Sequence, residues 1–128
     1  MGALSANRHT RHRVGNYVEY AVYAATHIYA GSLVCIRTDG YAIPATDTAT
    51  LQFVGVAVNE ADNTGGTSGA IKVTVQRDGL HLFAASGLAQ TDVGVTVYVS
   101  DDQTVKVAAG NAVMVGQIAA VESATSCW

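Results

Sequence analysis

At 128 residues, 49% hydrophobic and only 13% charged, the chain is long enough to bury one core and too apolar to remain disordered over most of its length. The net charge of −3 conceals an asymmetry: Arg8, Arg11 and Arg13 are three of the seven basic residues, and from Val14 onward four basic residues face ten acidic ones, about −6. An acidic body is a poor match for nucleic acid, no apolar run approaches the ~20 residues of a membrane span, and the first residues lack the apolar stretch of a secretory signal. We therefore expect a protein made in the cytoplasm and kept in soluble form, with no membrane partner and no direct nucleic-acid partner.

Residues 1–16 show no apolar periodicity and carry polar and basic side chains, which predicts an extended N-terminal arm ahead of one domain, residues 17–128. The segment 17–30 (YVEYAVYAATHIYA) fits a helix by its alanines and a strand by its alternation; the alternation is preferred. Beyond Gly31 the punctuation becomes regular. LVCIR, the turn Thr38-Asp39-Gly40, YAIPA and FVGVAV follow one another, with Pro44, the sole proline, marking an edge or a strand end. Residues 59–69 (NEADNTGGTSG) read as a long turn.

The clearest half-buried strand is AIKVTVQ, in which Ile71, Val73 and Val75 alternate with Lys72, Thr74 and Gln76. Asp78-Gly79 then predicts a hairpin that returns LHLFAA antiparallel to residues 70–77. In VGVTVYVS, Val93, Val95, Val97 and Val99 fall on one face, Asp101-Asp102-Gln103 turns the chain, and TVKVA returns it. The stretch 112–121 (AVMVGQIAAV) and the end at Trp128 complete eight to ten short strands, roughly what a single all-β barrel or sandwich requires.

Chemistry is sparse along this pattern. TGGTSG at 64–69 lacks the lysine of a phosphate-binding loop and precedes a strand rather than a helix, so a turn explains it better. A metal site from His9, His12 and His81 would join the arm to a strand with no acidic or cysteine ligand nearby in sequence, and packed or solvated imidazoles are preferred. Cys35 and Cys127 have no metal-ligand or redox spacing, and Cys35, inside an apolar run, reads as a buried free thiol. Asp101-Asp102 belong to a turn, and no serine sits in a nucleophile-elbow context. No cofactor and no catalytic residue is expected. The basic arm with Arg8, His9, Arg11, His12 and Arg13 is better suited to a protein partner than to phosphate, because it has no interleaved aromatics; an extended arm can add a strand to a neighbour's sheet edge. Tyr17, Tyr20, Tyr23, Tyr29 and Tyr41 could alternatively line a carbohydrate- or ligand-binding face.

The strings IYAGSLV, FVGVAV through DNTGG, VTVQRDGLHLFAASG and DVGVTVYVSDDQTV, spread between His27 and Trp128, resemble the capsid cement, or head decoration, proteins of tailed phages. The arm lies outside the resemblance. It implies a jelly-roll-like β-barrel or sandwich that self-associates as a dimer or trimer and binds the outer surface of a phage head in the virion. There it would clamp neighbouring subunits of the major capsid protein. A head fibre or tail-associated β module is the neighbouring alternative. On this reading the partner-binding residues are Arg8, Arg11, His12, Arg13 and Tyr17 from the arm and its junction, with Asn63 and Thr64 from the 59–69 loop.

Overall fold

The computed structural model describes residues 2–3, 5–11 and 13–128. Among these residues thirteen short strands follow in chain order: β1 Tyr17–Ala21, β2 Thr26–Ile28, β3 Leu33–Ile36, β4 Ala42–Pro44, β5 Gln52–Ala57, β6 Ala61–Asn63, β7 Lys72–Gln76, β8 Phe83–Ala84, β9 Thr96–Val99, β10 Val105–Lys106, β11 Met114–Gln117, β12 Val121–Ser123 and β13 Ser126–Cys127. A single 3-10 turn, Gln90–Asp92, is the only helical element among the described residues. The fold is therefore nearly all β, and the alternating segment at 17–21 is strand.

Five strands form the main sheet in the order β1-β7-β5-β3-β4; β10-β9-β11 and β12-β13-β8 form two three-stranded sheets, and β2-β6 a ribbon. None of these sheets closes into a barrel. The main sheet does curl until its two edges meet at one point, a parallel bridge between Val22 and Ala42, with the Tyr23 N–H donating to the Ala42 carbonyl at 3.0 Å. Inside the curl lies one core, built from Val22, Ile28, Val34, Ala42, Val73 and Val75 with smaller alanines.

The other face of β3 and β5 carries a second core, in which Leu33, Cys35 and Val56 meet Val97, Val99, Val105, Ile118 and Cys127 from the small sheets. Leu33, Val34 and Cys35 are all fully buried, because alternate side chains of β3 enter different cores. That two-sided burial is why LVCI reads as an unbroken apolar run. Gly55 sits at a register shift in the β3–β5 ladder. Its φ is +148°, and a Cβ there would collide with the Gln76 carbonyl and come within 2.6 Å of Val75 Cγ1, so β7 can lie against β5 only because the side chain is missing.

Four expectations fail. Among the described residues thirteen short strands stand where eight to ten were expected. The Asp78-Gly79 hairpin does not form: β7 has β1 on one edge and β5 on the other, so the chain leaves the sheet at Asp78, and β8 pairs with β13 instead. His81 consequently lies in a loop rather than a strand. Residues 59–69 are not one long turn, since β6 pairs with β2 and Ala61 and Asn63 point inward on either side of exposed Asp62. Val93 does not share the face of Val97 and Val99; it is exposed immediately after the 3-10 turn. Elsewhere, the turn at Asp101–Gln103 returns β10 against β9, Pro44 ends an edge strand, and both cysteines are buried and free.

Candidate interaction surface

The described residues of the arm stand outside every strand and are exposed, Arg8, Arg11 and Arg13 included. His12 lies outside the described residues. The arm joins the body at Asn16, whose carbonyl accepts the Arg77 N–H at 2.8 Å, and at the other end of β1 the Val22 N–H donates to the Ile71 carbonyl at 3.0 Å. In an antiparallel ladder, hydrogen-bonded and non-bonded pairs alternate. With 16–77 and 22–71 both bonded, Val18 and Tyr20 spend their backbone groups on β7, and those of Tyr17 and Glu19 face away from it. Nothing among the described residues pairs with that side of β1 before the bridge at Val22. Tyr17, 58% exposed, and Glu19, also exposed, thus stand on an open sheet edge. Open edges of this kind recruit further strands.

Asn63 and Thr64 lie elsewhere. Asn63 is only 3% exposed, and its carboxamide donates to the carbonyls of Tyr23 at 3.0 Å and Thr67 at 2.9 Å, with a longer contact to Val22 at 3.4 Å. Its side chain is an internal clamp and is unavailable to a partner, which corrects the expectation. Thr64 is exposed, and its hydroxyl and N–H both donate to Asp62, holding that carboxyl below its usual range. The glycine-rich loop wraps the corner after β1: the Gly69 N–H donates to the Val22 carbonyl, the Ala25 N–H to that of Gly66, and the Ser68 hydroxyl accepts from the Ala24 N–H. A Cβ on Gly66 would strike the Asn63 carboxamide. Gly66 thus serves packing, and this corner stands a strand's length from the arm's root. The six expected partner-binding residues that are described therefore do not form one patch.

Two further features were not foreseen. His27 on β2 contacts Glu60 at 2.6 Å and stacks on Tyr29 with ring centroids 4.1 Å apart. A cleft of about 180 Å³ opens between the main sheet and the small sheets, with Phe53, Val97, Cys127, His81 and Trp128 in its lining. Burial pushes the Cys35 thiol up to about 11 and raises that of Cys127, so both stay protonated near neutral pH. The five tyrosines do not share a platform: Tyr41 lies 6.5 Å from Tyr23, whose face is covered by the Arg37 guanidinium at 3.7 Å, while Tyr29 stacks on His27, Tyr20 packs against the inner core and Tyr17 begins β1 exposed. Among the described residues no three His, Cys, Asp or Glu side chains are placed to hold a metal ion. Comparison with protein-family models, curated proteins and solved structures gives no match.

Proposed function

We propose that this chain is a non-catalytic capsid decoration protein of a tailed phage, binding the outer surface of the head and bridging neighbouring major capsid protein subunits. The observation that carries this reading is the junction at Asn16–Tyr17, where an exposed basic arm runs into an open sheet edge on an acidic body. A subunit that clamps a repeating protein surface needs such elements: backbone donors and acceptors for strand addition, and arginines to set register against acidic groups. Several copies on a symmetric shell multiply modest contacts into firm attachment. The finer fold, a jelly-roll-like sandwich, belongs to the same proposal and draws support from the main sheet and the small sheets sharing one core across β3 and β5.

Cryo-electron microscopy of particles carrying the protein, beside a matched preparation lacking it, tests the proposal. Density on the shell that bridges adjacent capsid subunits and vanishes in the control is the expected result. Protein located only at the tail moves the reading to a tail-associated module, and protein absent from particles sinks it. Deleting residues 2–11 should lower occupancy on particles while leaving the thermal melt of the free chain unchanged.

A further inference from the structure

The open edge of β1 continues into arm residues whose sequence is complementary to β1 itself. Residues 13–19 read Arg-Val-Gly-Asn-Tyr-Val-Glu. Laid antiparallel on a second copy about Asn16, Arg13 falls opposite Glu19, Val14 opposite Val18, and Gly15 opposite Tyr17. We propose that two copies of the chain dimerise in this register, residues 13–19 of one adding to residues 13–19 of the other around a two-fold axis through Asn16.

The backbone allows it. Odd-numbered residues of β1 turn their N–H and carbonyl groups away from β7, and in this register the odd residues meet each other, so 13–19 and 15–17 become bonded pairs on both sides of the axis. A register displaced by one residue would set these outward groups against ones already spent on β7. The side chains agree. Arg13 and Glu19 are exposed and take no part in the ion pairs among the described residues, and each would gain an opposite charge directly across the ladder. Val14, 78% exposed, would cover half-buried Val18. Gly15, with open space where a Cβ would be, would receive the Tyr17 ring across the strand pair, an arrangement that rescues glycine in sheets.

The added strand has a natural stop, because at Val22 the edge is already taken by Ala42. In the single chain the backbone bends at Asn16, and pairing would straighten it. The result is one sheet continuous across two copies, with the distal arms carried outward in opposite directions and Arg8 and Arg11 left for the shell. The dimer takes the open edge for the second copy and leaves the distal arms for capsid contacts; it rests on the reading above only for its place on a particle.

Sedimentation of the full-length chain in free solution is the test. A dimer is expected at micromolar concentration. Asn16→Cys should give a disulfide-linked dimer under mild oxidation, since the central pair is a close, non-bonded one and the native thiols are buried. Arg13→Glu and Glu19→Arg should each weaken association about tenfold, and the two combined should restore it to within about threefold. Gly15→Pro removes an outward N–H and should give a monomer whose thermal melt matches that of wild type diluted until it is monomeric. A wild-type chain that stays monomeric overturns the dimer. So does a dimer indifferent to Gly15→Pro and to both charge reversals, or a particle map with a capsid strand along residues 13–19. Loss of particle binding with the dimer intact would count against decoration alone.

Discussion

The two edge strands of the main sheet are built in opposite ways. β4 has three residues, ends in Pro44 and gives its Ala42 carbonyl to Tyr23. β1 has five residues and no proline, and it leaves the backbone of Tyr17 and Glu19 facing solvent. Short length, proline and partial cover are the usual protections against unwanted pairing. The edge that has them is closed to partners, and the edge that lacks them carries the arm. The contrast says where association can occur in this fold.

The largest expected effect is on the element that holds β1 in place. Gly55→Ala should destabilise the chain by roughly 4 kcal/mol in a denaturant titration, because the new Cβ meets the Gln76 carbonyl at a φ unsuited to alanine. It would part β7 from β5 and release β1 with it. A single-residue contrast within β1 follows. Val18→Pro deletes an N–H bonded to β7 and should cost about 3 kcal/mol, whereas Glu19→Pro deletes one that faces outward and should cost under about 1 kcal/mol. Equal losses in the two variants would mean that the alternation assigned to this edge is wrong. At the closed corner, Asn63→Ala should cost about 2 kcal/mol, since the Tyr23 and Thr67 carbonyls lose their donor. That loss should also speed amide exchange at Tyr23 while sparing Val18.

How far the sequence discloses this arrangement depends on the range of the interaction. Local alternation marks strands over 70–76 and 93–99, of which Lys72–Gln76 and Thr96–Val99 are strand, and the Asp101–Gln103 turn correctly predicts β10 against β9. The partners of β7 are invisible to such reasoning. Tyr17 pairs with Gln76 and Ala57 with Val75, across separations no turn signal spans, and they occupy both edges that the Asp78-Gly79 hairpin would have needed. Exposure of Arg8, Arg11 and Arg13 follows from composition, and that of Tyr17 from its alternation with Val18 and Tyr20. The burial of Asn63 does not, because asparagine among Asp, Gly and Thr looks like turn chemistry until β2 is known to lie beside it. An open edge is harder still to read, being defined by which strands the rest of the chain leaves unpaired.

The smallest effect concerns acid and separates the two edges again. The loop after β4 is stapled to the segment after β10: the Asp47 carboxylate accepts from Lys106 Nζ and, at 2.9 Å, from the Asn111 N–H, while Asn111 Nδ2 donates to the Asp47 carbonyl at 2.7 Å. The bond from Lys106, followed by that from the Asn111 N–H, holds the Asp47 carboxyl below its ordinary value near 3.8. A carboxyl depressed in the folded state contributes stability that is complete above its unfolded value and is lost as pH falls through the folded one. Wild type should therefore melt slightly higher than Asp47→Asn near neutral pH, and the gap should close below about pH 4. Amide exchange should report the loss at Asn111 and leave β1 untouched, since nothing in the staple reaches that edge. A gap that persists unchanged into acid would remove the Lys106–Asp47 pair as its source.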